Sequence, residues 1–327
     1  MLVPPQQVCN LPGTPSVALH PSSLAPQKTS AFGDPVRRTK STPHSSGFAR
    51  LAYELFTKPA TIEYRFVVVF VIHNMQPLIL VTNDDGVHSP GIIALFKAMK
   101  ELGETYIIAP DRERSAVGHA LTLHRPLKVE ELRENVFSVN GTPTDCVALA
   151  VHKILPRKPD LIASGINRGA NLGDDITYSG TVSAAMEGTI LGVPSFAISV
   201  IGERPFHFES AVSYAIEVGS YILDKSLPYD TFLNVNVPNV PQRDTIRGIR
   251  ITKQGKRVYD NAIQEVFSPW GDKHYWIGGG KPYWEQGEDM DIQAVLDGYV
   301  SVTPVHLDLT NYTALEYLRK KWQMMKI

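Results

Sequence analysis

Between residues 78 and 237 the chain switches repeatedly between two hydrophobic rhythms. Leu78, Ile79, Leu80 and Val81 form an unbroken apolar run, the pattern of a strand buried on both faces. After Pro90-Gly91 the period lengthens: Ile92, Leu95, Phe96, Met99 and Leu102 fall on one face of a predicted helix over 91–102. Further along, the same reading predicts strand 105–109 (TYIIA), helix 143–155 (PTDCVALAVHKIL) and strand 160–164 (DLIAS). Helix 181–191 (TVSAAMEGTIL), strand 195–200 (SFAISV), a long helix near 208–223 and strand 232–237 (FLNVNV) complete the run. Strands alternating with helices imply parallel βαβ units and an α/β/α sandwich. Beyond Ile246 the texture changes to short β-like pieces, Gly-rich turns and aromatics, read as antiparallel hairpins, with "TALEYLRKKW" as a terminal helix.

Composition divides the 327 residues further. Residues 1–50 hold 8 of the 24 prolines and 11 Ser or Thr, with Asp34 the only acid against five Lys or Arg. Such a stretch cannot bury a core, so disorder is its default. It is read as an extraneous or upstream-derived segment, a targeting peptide (the Ser-rich, acid-poor balance suits organellar import) or an accessory tail. Met75, three residues before the first core strand, is a candidate start of translation. The expected organisation is therefore 1–74 as an extra segment, 75–245 as the core, and 246–327 as a C-terminal extension. A net charge of −1 disfavours nucleic acid as a bulk partner. The apolar run 66–72 (FVVVFVI) is far too short to span a membrane. Two cysteines, Cys9 and Cys146, fit a reducing compartment such as the cytoplasm.

Candidate chemistry sits at the strand ends, where open α/β sheets bind ligands. The first strand stops at Asn83-Asp84-Asp85-Gly86, two adjacent carboxylates whose repulsion costs free energy unless a cation or donors sit between them. Strand 105–109 runs into "APDRERSAVGH", with Asp111, Arg112, Arg114 and Ser115 in one loop. Strand 160–164 runs into "GINRGANLGDD", carrying Asn167 and Asn171, and then into "TYSGTVSAAMEG". Taken singly, each has a plainer reading as a turn, a loop hydroxyl or a helix cap. Together at one sheet edge they offer two carboxylates, a hydroxyl and an amide oxygen, hard ligands suited to Mg²⁺, Mn²⁺ or Ca²⁺. The Ser179-Gly180-Thr181 turn beside them points backbone N–H groups outward at a helix start, an anion site. A hard cation next to an anion cradle describes a site for a phosphoryl group.

These motifs, "ILVTNDDGVHSPGI", "APDRERSAVGHALTL", "NGTPTDCV", "SGINRGANLGDDITYSGTVSAAMEG" and "GYVSVTPVHLDLT", resemble the survival protein SurE family of metal-dependent 5′/3′-nucleotidases. The match is dense over 78–200 and looser to about 310. The resemblance implies a three-layer α/β/α Rossmann-like sandwich with a mostly parallel sheet, a C-terminal β-hairpin extension and a terminal helix. It implies one divalent cation per subunit, held by Asp84, Asp85, Ser115 and Asn167, with Asp84 and Asp85 as the catalytic pair. Phosphate contacts carry over to Asn171, Ser179, Gly180 and Thr181. The implied reaction is hydrolysis of nucleoside 5′-monophosphates, extending to 3′-monophosphates and short polyphosphate, by a homodimer or homotetramer.

Rival readings fare worse on the residues. A phosphoaspartate phosphatase uses Asp-x-Asp, whereas Asp84 and Asp85 are adjacent. A dinucleotide-binding oxidoreductase needs a Gly-rich turn where "TNDDG" stands. A nucleotide-binding stress sensor without turnover keeps the same residues and is the remaining alternative. Thr142 and Pro143 read as the cap and first turn of a helix, and Cys146 as a core residue. His119 and His124 are candidates for lining the substrate pocket, and "GGGKP" at 278–282 reads as a hairpin turn.

Overall fold

The computed structural model describes residues 76–258, 263–277, 283–284 and 287–324. Residues 1–75, with "RFVVVFVIH", and the "GGGKP" turn lie outside the described residues. Strand β1 (Leu78–Thr82) leads into helix α1 (Pro90–Met99), capped by the Ser89 hydroxyl, and then into β2 (Glu104–Pro110). An antiparallel pair, β3 (Val129–Arg133) and β4 (Val136–Val139), follows. Helix α2 (Pro143–Leu149) begins at a capping box between Thr142 and Asp145 and runs on as a π-helical turn, Ala150–Ile154. Next come β5 (Leu161–Arg168), a 3₁₀ turn at Gly173–Thr177, α3 (Gly180–Ile190), β6 (Ser195–Ile201), α4 (Phe208–Lys225) and β7 (Thr231–Pro238).

The C-terminal region adds β8 (Ile249–Ile251), β9 (Arg257–Val258), β10 (Ile263–Phe267), β11 (Lys273–Ile277) and β12 (Tyr283–Trp284). Helix α5 (Asp291–Leu296), β13 (Val300–His306) and α6 (Tyr312–Met324) end the chain's described part. Nine strands form one sheet in the order β3-β4-β2-β1-β5-β6-β7-β13-β8. From β4 through β7 every pairing is parallel; β3 and β13 run antiparallel to their inner neighbours.

The period-two rule explains the layers. Ile79 and Val81 of β1 face one cluster with Ile92 and Leu95 of α1 and Ala215, Val218 and Ile222 of α4. Leu78 and Leu80 face the other, with Cys146 and Val147 of α2 and Ala184 of α3. Helices therefore cover both faces, as the Rossmann-like expectation requires. Cys146 is a fully buried core residue.

Three differences from the sequence reading matter for the site. The strand expected to stop at Ser164 continues to Arg168, through a register shift between Ser164 and Asn167, so Asn167 lies on β5 rather than in a loop. The hairpin β3–β4 was not predicted, because every residue of β3 is exposed and its charges show no apolar alternation. The boundary at 245/246 does not separate two sheets: β8 and β13 beyond it are strands of the main sheet, and Ile246, Val300 and Val302 share its core. The separate β10–β11 pair, by contrast, is exposed along both strands.

Candidate active site

Strand β1 lies between β2 and β5, the strand to which the chain returns from the far side of the sheet. That is a topological switch point, where the loops after adjacent strands diverge and leave a crevice. The crevice holds a cavity of about 690 Å³. Its walls include Asp84 and Asp85 from the end of β1, Ser115 from the loop after β2, Asn167 from β5, and Asn171 and Ser179 from the segment leading to α3. Six of the eight residues expected at the site thus share one cavity. Gly180 and Thr181 stand behind Asp84 and do not line it.

The turn after β1 is fixed from within. The Asn83 amide donates to the Gly86 carbonyl (3.1 Å) and to the Ser89 hydroxyl (2.8 Å), which ties the turn to the cap of α1. Asp84 is 5% exposed, and its Oδ1 accepts a 2.5 Å hydrogen bond from the Thr181 hydroxyl. Among the described residues no cationic side chain forms an ion pair with it. Burial pushes the Asp84 carboxyl above the usual carboxylate range; the Thr181 bond pulls it down, and the Asp85 charge pushes it up again. Asp85 differs: Arg168 grips it with two bonds, Nη2 to Oδ1 at 2.8 Å and Nε to Oδ2 at 3.3 Å. That grip holds the Arg168 guanidinium above its ordinary value.

Ser115 is exposed in the cavity wall, its hydroxyl donating to Glu113 at 2.8 Å. Asn167 donates its amide to the Gly169 carbonyl at 3.1 Å, which leaves its side-chain oxygen as an acceptor. Two carboxylates, a hydroxyl oxygen and an amide oxygen around one cavity, one of the carboxylates buried beside a like charge, form a donor set that fits a hard divalent cation.

Asn171 is held on both sides of its peptide. Its carbonyl accepts from the amides of Asn234 and Asn236, each at 2.8 Å, and its N–H donates to Asn236 Oδ1 at 3.1 Å. The Asn171 side-chain amide donates to the Ser199 hydroxyl at 2.8 Å. Ser179 caps α3, its oxygen accepting from Val182 N at 3.1 Å, so its hydroxyl hydrogen stays available to a ligand. Gly180 is required by packing against Asp84. A Cβ there would stand 2.7 Å from Asp84 Cβ, so only glycine lets the start of α3 close against the aspartate. Thr181, fully buried, spends its one hydroxyl hydrogen on Asp84.

The cavity also contains residues the sequence reading left unassigned: Glu113, Arg168, Asp175, Tyr178, Arg204 and Phe206. Arg168 had a signal, since it directly follows the candidate ligand Asn167 in sequence; Arg204 and Phe206 had none, being set in the loop after β6. His119 bonds Glu187 at 2.8 Å, and neither it nor His124 lines the cavity.

Comparison with known proteins places the chain among relatives of one family. The family model "Survival protein SurE" matches residues 79–261. The 5′-nucleotidase SurE of Geotalea daltonii is 53% identical over 247 residues, which cover 75% of this chain and 99% of that protein. The 5′-nucleotidase SurE of Geobacter sulfurreducens is 52% identical over 247 residues, 75% of this chain and 94% of the relative. Among solved structures, the SurE protein from Aquifex aeolicus superposes with a TM-score of 0.68 at 46% identity, covering 75% of this chain and 99% of that one.

Proposed function

The chain belongs to the survival protein SurE family, and from that premise we propose that it is a 5′-nucleotidase, a phosphomonoesterase that converts nucleoside 5′-monophosphates to nucleoside and phosphate. One observation carries the reading: Asp84, Asp85, Ser115 and Asn167 line the same cavity as Asn171 and Ser179. A donor set for a hard cation therefore adjoins groups suited to phosphate oxygens.

Asp84, Asp85, Ser115 and Asn167 are the residues that would hold one divalent cation per subunit, Mg²⁺ or Mn²⁺. Such a cation, when bound, supplies Lewis-acid activation of water and neutralises phosphoryl charge. The remaining work falls to the chain. Thr181 and Gly180 fix the position of Asp84, one by its hydrogen bond and the other by its lack of a side chain. Arg168 orients Asp85 through a two-point grip. The Ser179 hydroxyl, in the cavity wall with the N-terminus of α3 behind it, would donate to phosphate oxygens, where donors matter most as negative charge grows. Asn171, with its main chain clamped by Asn234 and Asn236, presents the next contact without needing to reorganise. Activity on 3′-monophosphates and short polyphosphate rests on the family resemblance alone.

The same resemblance supports assembly as a homodimer or homotetramer. The exposed apolar residues of the β10–β11 region, among them Phe267, Trp270, Trp276 and Ile277, favour it too. No helix among the described residues is long and apolar enough to cross a membrane, and cysteine usage favours the cytoplasm. Residues 1–74 are assigned no part in catalysis.

Phosphate release should be measured over nucleoside 5′- and 3′-monophosphates and simple phosphate esters, with Mg²⁺, Mn²⁺, Co²⁺ or EDTA. Turnover of 5′-monophosphates that EDTA abolishes is the expected result. Nucleotide binding without phosphate release would overturn it in favour of the sensor.

A further inference from the structure

A carboxylate far from the motifs reaches the segment that carries the phosphate contacts. Asp291, at the start of α5, is fully buried and forms no ion pair among the described residues. Its Oδ2 accepts from Gly173 N at 2.8 Å; its Oδ1 accepts from Gly255 N at 3.0 Å and Ile292 N at 2.8 Å. One side chain therefore joins the 3₁₀ turn at 173–177, the strand-like segment after β8, and the first turn of α5. Two neighbours reinforce the joint. Gln254 donates to the Gly173 carbonyl at 3.0 Å, so both polar groups of the Gly173 backbone are held by this region. Arg257 pairs with Asp175, a cavity residue, and its N–H donates to Asp174 at 3.3 Å.

The clamped turn occupies the gap between the two phosphate contacts. Asn171 precedes it by two residues and Ser179 follows it by two. Asn171 is already fixed from β7, so the 3₁₀ turn is the link through which Asp291 reaches Ser179, whose N–H bonds the Ile176 carbonyl of that turn at 3.3 Å. Burying an unpaired carboxylate is expensive, and here burial outweighs the N–H donors and pushes the Asp291 carboxyl above its usual range. A carboxylate whose ionised form is costly to bury, yet which ties three backbone segments together, is explained by the geometry it imposes.

We propose that Asp291 is a positioning residue for the phosphate cradle, acting through Gly173 to set Ser179 and the N-terminus of α3. The proposal rests on the nucleotidase reading above. It makes the C-terminal region part of the catalytic unit.

Asp291→Asn tests it with little change of shape. An amide can keep the acceptor toward Gly255 and Ile292, but it then turns NH₂ toward the Gly173 N–H. Affinity for inorganic phosphate as a product inhibitor, KM and kcat for a nucleoside 5′-monophosphate, and Tm should be measured together. We expect kcat/KM to fall by roughly 10- to 100-fold, as for residues that orient metal ligands from the outer shell, with phosphate inhibition weakened in parallel. Gln254→Ala, which removes one exposed-side bond to the same turn, should move both in the same direction by a few-fold, and carries the test if Asp291→Asn does not fold. A lower Tm with unchanged kcat/KM, or with unchanged phosphate inhibition, in either folded variant would overturn the proposal. Wild-type protein that neither releases nor binds phosphate would instead defeat the nucleotidase reading.

Discussion

Two buried aspartates, one at the end of β1 and one at the start of α5, meet opposite surroundings. Asp84 opens on a cavity, receives one side-chain hydrogen bond from Thr181, and has Asp85 as its sequence neighbour. Asp291 is closed off and receives three backbone N–H groups. Burial raises both carboxyls above their ordinary range. What separates them is who is meant to satisfy the charge. The backbone satisfies Asp291, so its role is internal; Asp84 keeps acceptor capacity that the chain does not fill, and a ligand cation is the natural partner.

The largest effect expected from breaking this contrast is on turnover. Asp84→Asn removes a negative charge at the cation site and should lower phosphate release by at least ~10³-fold, since several kcal/mol of phosphoryl charge stabilisation depends on it. The fold should survive. A carboxyl whose folded pKa lies above its unfolded value costs stability when ionised, and the cost disappears as pH falls through the folded value. In metal-free buffer at neutral pH the Tm of Asp84→Asn should therefore match or exceed that of wild type. A variant retaining near-wild-type turnover would show that the site is misassigned.

Asp291→Ala should behave the other way. Three backbone N–H groups would be left without partners, at about 1–3 kcal/mol each, and relief of the buried charge offsets part of that. A net loss of about 2 kcal/mol, read from urea unfolding, is expected. Equal stability would mean that water replaces the carboxylate and that the joint is not closed.

Much of the Asp84 side of this comparison was legible in the sequence, and little of the Asp291 side. Asp84 and Asp85 stand at the end of an apolar run, and Ser115, Asn167, Asn171 and Ser179 lie in the polar segments that follow other core strands, so their joint placement at one sheet edge, with the family resemblance, made them legible. Asp291 lies in "GEDMDIQAVL", indistinguishable from exposed loop acids until the fold brings Gly173 and Gly255 to it. Asn234 and Asn236 were hidden for a related reason. In "FLNVNV" they alternate with apolar residues and mimic a solvent-facing side, yet they are 1% and 0% exposed because the Asn171 segment covers them. Thr181 was legible as a site residue, but its direction was not: helix periodicity places it at the N-terminus without showing that its hydroxyl turns to Asp84.

Thr181→Val sharpens that point. It keeps the shape and removes the bond to Asp84, so turnover should fall by about tenfold, the lower end for a residue orienting a metal ligand. The Mn²⁺ concentration needed for half-maximal activity should rise with it. Gly180→Ala should cost more, because its Cβ would stand 2.7 Å from that of Asp84 and the start of α3 must shift. If Thr181→Val alters KM for the nucleotide and leaves the Mn²⁺ requirement unchanged, Thr181 serves the phosphate and not the aspartate.

The smallest effect concerns a third carboxylate, which supplies the missing corner of the comparison. Asp308, between β13 and α6, has donors without burial. The Thr310 residue bonds it first, with the backbone N–H at 2.9 Å from Oδ1, and the Tyr312 hydroxyl donates to Oδ2. These donors hold its carboxyl down at about 2. A depressed acid stabilises the fold above its unfolded value and loses that contribution as pH falls through the folded one. The turn at 308–312 should therefore stay closed at pH 4 and loosen as pH approaches 2, with no effect on activity near neutrality. A carboxyl-detected NMR titration would read it directly, and Tyr312→Phe should move the midpoint upward by removing one donor. A wild-type midpoint near 3.8 would mean that exposed donors do not hold this carboxylate. The number of hydrogen bonds would then no longer be a measure that separates Asp291 from Asp84.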